Sequence, residues 1–264
     1  YASTAVAQFT EAQRTGDNVI ACWTFDGDNP ARDVSGHGHD LVLRGDTSFI
    51  TDGKSGGALQ CTPTPEGTDD AQGAVTKTHE QLTPAGAFTI EMLFKLDPGY
   101  EAFRQHFLVD KKNYHYDKPE LLQANHDYNI FLNKSGAQYH FVAGLGFGEN
   151  GSSFSSSDPL ELQADRWYQF ALVYDGLGTV RFYLDGQLVG RQVHAERGAI
   201  SGGGYGLHLG ARVGSSNVGL AGRIDEVRIS NGIPEQYVGS IELSSGAGRS
   251  VFQRMEPNAV ATVA

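Results

Sequence analysis

Apolar positions along this chain recur mostly at every second residue, in short runs broken by Gly, Asp and Asn. AFTIEMLFKL (87–96) is the clearest case. Phe88, Ile90, Met92 and Phe94 fall on one face, and Thr89, Glu91 and Lys95 on the other, the period of a β-strand. NVIACWTF (18–25), DLVLRGD (40–46), GGALQC (56–61), YGLHLGARV (205–213) and LAGRIDEVRIS (220–230) read as further strands. DYNIFLNKSGAQYHFVAGLGFG (127–148) predicts a hairpin around Asn133-Lys134-Ser135-Gly136. WYQFALVYDGLGTVRFYLDGQLVGRQV (167–193) predicts three strands divided at Asp175-Gly176 and Asp185-Gly186, dipeptides that suit tight hairpin turns. In WYQFALVYDG both alternating sets are largely apolar, which predicts a central strand covered on both faces.

Between these runs, TPTPEGTDDAQG (62–73) and the Ser-rich GENGSSFSSSDPLE (148–161) read as loops, as Pro, Gly and Ser clusters usually do. FLVDKKNYHYDKPELLQANHDYN (107–129) reads as a long loop interrupting two strands. Residues 1–17 form an extension with room for one short helix or strap, and the tail 233–264 is weakly patterned. With no long amphipathic helix, the pattern predicts an all-β chain of two sheets packed face to face, in one domain over 18–232.

Composition supports that class and narrows the function. Gly supplies 34 of 264 residues, in keeping with many turns between short strands. The net charge is −11 and the isoelectric point near 5.2, which argues against nucleic acid and anionic membranes as partners. No apolar run approaches the ~18 residues of a membrane span. The N-terminus shows no signal peptide, as would a chain already processed. Two cysteines in a Gly-rich chain of low Lys content fit a single disulfide, Cys22–Cys61, in an exported protein. Two separate buried thiols are the alternative. The expected location is secreted or cell-surface.

The stretch WTFDGDNPARDVSGHGHD (23–40) crowds four Asp and two His into a turn with little to bury. Ca²⁺ takes six to eight oxygen ligands, and Asp26 and Asp33 with carbonyls around Ser35 to His39 offer a cradle. The alternative is that these Asp side chains cap turns. His37 and His39 give only two of the four ligands that zinc wants.

Residues 107–140 hold the other candidate chemistry. Lys111, Lys112, Tyr114, His115, Tyr116, His126 and Tyr139 combine cations with aromatic rings, a mixture able to stack on sugar faces and bind hydroxyls or carboxylates. The same groups include a base and a charge neutraliser of the kind a polysaccharide lyase needs. A retaining glycosidase needs two carboxylates about 5–5.5 Å apart. The strand with Glu91 has Lys95 where a second acid is wanted. No nucleophile elbow, phosphate loop or dinucleotide fingerprint is present.

Taken in order, WTFDGDNPARDVSGHGHDLVLRG, GGALQC, FTIEMLFKL, WYQFALVYDGLGTVRFYLDGQLVG and LAGRIDEVRIS resemble the laminin-G-like domains of the concanavalin A-like lectin/glucanase superfamily. The resemblance implies an antiparallel two-sheet jelly-roll sandwich. It also implies a structural Ca²⁺ between the Asp-x-Ser-Gly turn and the acidic pair Asp225-Glu226. Asp33 and Asp225 carry over as side-chain ligands, with Asp26 or Asp28 beside them. Members of the superfamily bind sugars, mediate adhesion or cleave polysaccharides, so fold alone does not select among them. Of the jelly-roll lyase patterns, Tyr-x-Lys-x-Gly-x-Tyr is missing here, and Gln-x-His occurs at Gln138-Tyr139-His140 and Gln192-Val193-His194 without it. The expectation is an extracellular carbohydrate-binding module for a polysaccharide or other glycan. An enzyme on an acidic glycan and an adhesion subunit with protein partners on its terminal extensions are the alternatives.

Overall fold

The computed structural model describes residues 9–64, 72–77, 80–112, 125–212 and 218–238. In chain order the strands are β1 (Val19–Trp23), β2 (Leu41–Arg44), β3 (Ser48–Ser55), β4 (Gly57–Cys61), β5 (Gly73–Thr76), β6 (Phe88–Leu96), β7 (Gln105–Asp110), β8 (Tyr128–Ser135) and β9 (Gln138–Gly146). They continue with β10 (Ser152–Ser156), β11 (Trp167–Tyr174), β12 (Thr179–Leu184), β13 (Gln187–Val193), β14 (His208–Leu209), β15 (Ala211–Arg212), β16 (Val218–Gly219) and β17 (Gly222–Asn231). Short helices α1 (Glu11–Thr15) and α2 (Glu235–Val238) flank them.

The strands form two antiparallel sheets. The first runs β13-β12-β11-β6-β17-β4-β3, with β1 also on β17, and the second runs β10-β9-β8-β7-β14-β5-β2. β15 and β16 make a small separate ladder. This is the sandwich expected from the alternation. Phe88, Ile90, Met92 and Phe94 all enter the core between the sheets. There Phe94 meets Phe141 of β9 edge-on, with ring centroids 5.9 Å apart, a favoured aromatic geometry. On β11, Tyr168, Phe170, Leu172 and Tyr174 join that core, while Ala171 and Val173 join a second cluster with Tyr183 and Tyr237 on the outer side. The prediction of a strand covered on both faces is met.

Terminal segments provide the outer cover. Thr10 caps α1 through a reciprocal box with Gln13, which satisfies two otherwise orphaned donors. Arg14 then reaches Glu226 at 3.0 Å, and Arg228 donates to the Gln13 carbonyl at 2.9 Å. Arg228 is paired with Glu91, whose other oxygen accepts the Tyr237 hydroxyl at 2.9 Å. The carboxylate of Glu91, 1% exposed, is therefore neutralised and hydrogen-bonded, as a buried charge requires. The edges β10 and β13 are stitched together as well, by Ser156 N–H to Gln192 Oε1 at 3.1 Å.

Three expectations need correction. Cys22 and Cys61 are free, buried thiols. Cys22 sits opposite Arg228 and Cys61 opposite Gly222, six residues apart along β17, or roughly 20 Å at about 3.4 Å per residue. A disulfide needs Cα atoms within about 7 Å. Residues 105–110, partly read as loop, are β7, and the Ser-rich 152–156 is β10. In β10, Ser153 and Ser155 are buried while Phe154 is exposed, so small polar side chains carry the inward face of an edge strand.

Two predictions follow from the packing. Replacing Glu91 with Ala strands the Arg228 guanidinium in a buried site, so urea unfolding should show a loss of about 3–5 kcal/mol. His106 is packed among Tyr100, Phe103 and Tyr139, its Nδ1 accepting from Ala221 N–H at 3.3 Å, and burial pushes its imidazole down to about 4. Between pH 6.5 and 4 the unfolded chain takes up a proton that the folded ring refuses, so stability falls as pH falls. Asp225, raised to about 7, acts in the opposite direction over an overlapping window. The difference between parent and His106→Gln therefore isolates the histidine. Parent stability should drop relative to the variant by on the order of 3 kcal/mol from pH 7 to pH 4, and parallel curves would refute the assignment.

Candidate functional site

The acidic turn after β1 is held by its own hydrogen bonds. Asp33 Oδ1 accepts from Cys22 N–H (3.0 Å), Ser35 N–H (3.0 Å) and the Ser35 hydroxyl (2.6 Å). Its Oδ2 accepts from His39 N–H at 3.1 Å. Trp23 Nε1–H donates to the His39 carbonyl at 2.9 Å. Asp33 thus fastens the whole turn onto β1, and four donors use the lone pairs that a cation would need.

Asp26 and Asp225 lie elsewhere, gripping the β3–β4 turn. Asp26 Oδ1 accepts from Gly57 N–H at 2.8 Å. Asp225 Oδ2 accepts from Lys54 N–H (2.9 Å) and Ser55 N–H (3.0 Å), while its Oδ1 is buried with no hydrogen-bond partner. Burial pushes this carboxyl up to about 7. Among the described residues no three His, Cys, Asp or Glu side chains come together as a metal site.

Lys111, Lys112 and His126 do come together, around Asp127 at one end of the second sheet. Lys111 Nζ is 3.0 Å from Asp127 Oδ2. Lys112 Nζ donates to the His126 carbonyl at 3.1 Å, and burial lowers its ammonium to about 8. His126 Nδ1 is 3.0 Å from the Ser201 hydroxyl. Asp127, in the left-handed region at φ +53, also accepts from the Thr83 hydroxyl and Gly203 N–H. Both lysines are buried, so their ammonium groups anchor the loop root. Tyr139 sits at the far end of β9, opposite Lys134 rather than Tyr128, roughly 20 Å along the strand. It is 3% exposed, and its hydroxyl donates to the Phe103 carbonyl at 2.8 Å. That is a core role, not the ligand-facing one anticipated. Tyr114, His115 and Tyr116 lie outside the described residues.

The pairing register assembles a different surface on the outer side of the second sheet. One cross-strand row runs Phe154, Gly144, Asn129, Asp110, His208, Val75, Val42. The next holds Val142, Phe131 and Phe107, the two Phe rings stacked 4.6 Å apart at 13°, with the Arg212 guanidinium 5.8 Å from Phe107. A third pairs His140 with Asn133 and Asn133 with Gln105. Burial, with the Arg44 charge second, depresses His208 to about 4, so that ring is neutral at pH 7. The middle of this face is buried, but Phe154 is 49% exposed. A Cβ at Gly144 would lie 2.7 Å from the Phe154 ring and 2.5 Å from Asn129 Oδ1. Glycine there makes room for the phenyl ring against the sheet, while Asn129 Oδ1 accepts Gly144 N–H at 3.0 Å. Sequence reasoning passed over Phe154 as one aromatic in a serine run; the alternation S-F-S, small inside and large outside, was the available signal.

Solved structures show the same architecture. The binding domain of Paraclostridial Mosquitocidal Protein 1 superposes with a TM-score of 0.62 at 13% identity, covering 84% of this chain and 51% of that one. A botulinum neurotoxin type C structure, described as dependent for cell entry upon interaction with two ganglioside molecules, gives 0.60 at 12% identity, covering 85% and 50%. This chain thus spans about half the length of those toxin fragments. Domain 4 of AbnA, a GH43 extracellular arabinanase from Geobacillus stearothermophilus, in complex with arabinotriose, gives 0.58 at 16% identity, covering 83% and 95%. No curated protein sequence matches. The family profile described as concanavalin A-like lectin/glucanases superfamily, Laminin_G_3, matches residues 68–236. With that match over most of its length, the chain belongs to the concanavalin A-like lectin/glucanases superfamily.

Proposed function

We propose that this protein binds a carbohydrate on the outer face of the second sheet without cleaving it. The observation that carries the reading is Phe154, half-exposed and lying over Gly144. A rigid aromatic platform beside hydrogen-bonding side chains suits the C–H face of a sugar ring, and ring rigidity keeps the entropy cost of binding low. His140, Asn133 and Gln105 supply donors and acceptors along the same face. Both outer faces are buried at their middle, and what favours the second is its open β10 margin, where Phe154 is exposed. The arabinotriose and ganglioside descriptions of structural neighbours support the ligand class. A secreted or cell-surface setting belongs to this reading, since extracellular glycan is where such a module would meet its ligand.

A bound Ca²⁺ is proposed as an accessory, centred on Asp225 rather than Asp33. The buried, unpartnered Oδ1 of Asp225 is the oxygen that a hard cation would neutralise.

Affinity electrophoresis through gels cast with neutral and acidic polysaccharides tests the main reading. Retardation should occur with the polymer left intact. Phe154→Ala should weaken it about tenfold, on the order of 1.4 kcal/mol. Equal retardation of parent and variant would place the ligand elsewhere, and shortened polymer would indicate an enzyme. For calcium, chelation should lower the melting temperature of the parent and leave Asp225→Asn unmoved. No shift in the parent removes the ion from the account.

A further inference from the structure

We propose that a second sugar site lies where the segment 25–30 after β1 meets β3 and β4, in a cleft of about 330 Å³ that takes a single neutral sugar ring. The inference rests on the carbohydrate reading above, and concerns a different part of the fold. Half-buried Phe49 forms one wall with Pro30 beside it, and it is backed by the core residue Phe25, 3% exposed, with ring centroids 6.1 Å apart at 31°. Asp26 and Thr51 bring polar groups to the rim. Apolar walls with a few fixed polar groups are the usual composition of a small-molecule site, and the volume falls at the lower end of that range.

Close backbone approaches shape this cleft. Phe25 sits at φ +58, a region that bulky L-residues avoid at a cost of order 1–3 kcal/mol. At Gly56, φ +80, a Cβ would come 2.1 Å from Asp26 Oδ1, and at Gly57 2.0 Å from the Phe25 carbonyl. Only glycines allow the turn to lie against Asp26. A strained aromatic and two obligatory glycines converge on one cleft, a concentration more typical of a ligand site than of a plain turn.

The lining defines the ligand. The Phe49 ring accepts the C–H face of a sugar, and the Asp26 carboxylate, whose Oδ1 already takes Gly57 N–H, is the acceptor beside it for hydroxyl protons. Asp26 is the sole charged side chain among the lining residues, so a uronate would be repelled. β3 and β13 are opposite edges of the first sheet, six strand spacings of about 4.8 Å apart, or roughly 30 Å. Phe154 belongs to β10, at the edge stitched to β13. The two sites therefore sit at opposite margins, positioned to grip one polymer at two points. Such bivalency raises avidity well above either single affinity.

The test is a ¹H–¹⁵N titration of the full chain with neutral pentose and hexose trisaccharides, and with a trigalacturonate. Amides of 25–27 and 49–57 should shift with a neutral trisaccharide and not with the uronate. Thr51→Arg, an exposed change that blocks the rim, should abolish those shifts, leave shifts around Phe154 intact, and weaken polymer binding about tenfold. Phe49→Ala should act likewise if its spectrum remains dispersed. Shifts confined to the Phe154 region would sink the second site and leave the first reading standing. Shifts confined to the cleft would do the reverse. No shift at either place overturns both, and equal response to the uronate overturns the ligand class.

Discussion

β17 is the strand on which the rest of the molecule depends. On one side it pairs with β6 along its whole length, and on the other it receives β4 and β1 end to end. The handover falls at Asp225-Glu226, where the register against β6 slips and Glu226 adopts φ +48. A bulge of this kind turns side chains that would point one way to point another. Here it sends Asp225 to the β3–β4 turn and Glu226 to Arg14 of the N-terminal helix. Two residues later Arg228 pairs with Glu91. One irregular step thus ties the first strands, the terminal helices and the middle of the sheet together.

That arrangement has a consequence for function. Burying Glu91, Glu226 and Arg228 under α1 and α2 commits the outer face of the first sheet to structure. The outer face of the second sheet carries the stacked Phe pair, neutral His208, Arg212 and exposed Phe154. Its chemistry is mixed rather than acidic, although the chain as a whole carries −11. Negative charge serves instead to hold turns, where Asp33, Asp26 and, from β17, Asp225 accept backbone N–H groups.

How much of this could be read from the sequence depended on side-chain size. The strands with large alternating apolar residues, β6, β8, β9 and β11, were legible because burial enforces a period of two. β10 was not, since its inward positions are Ser153 and Ser155, small enough to pack at an edge yet indistinguishable from loop composition. β3 was not legible either; it contains Asp52-Gly53, a dipeptide that favours turns, and a register slip between Ile50 and Ser55 absorbs it. The chemistry was harder. Asp33 was recognised as important, but no spacing rule shows that its carboxylate is filled by backbone donors. Lys111, Lys112 and Tyr139 carry the right functional groups for a ligand site, yet burial turns them to anchoring and packing. Phe154 and Gly144 meet only through cross-strand register, and register is a property of the folded sheet.

Hydrogen exchange measured with and without a bound polysaccharide tests the central claim most directly, because it reports on both sheets at once. The account predicts added protection in β8, β9 and β10, around Asn129, Gly144 and Phe154, with α1, α2 and the outer side of β11 unchanged. Protection concentrated over α1 and α2, with β8 to β10 unaltered, would contradict it.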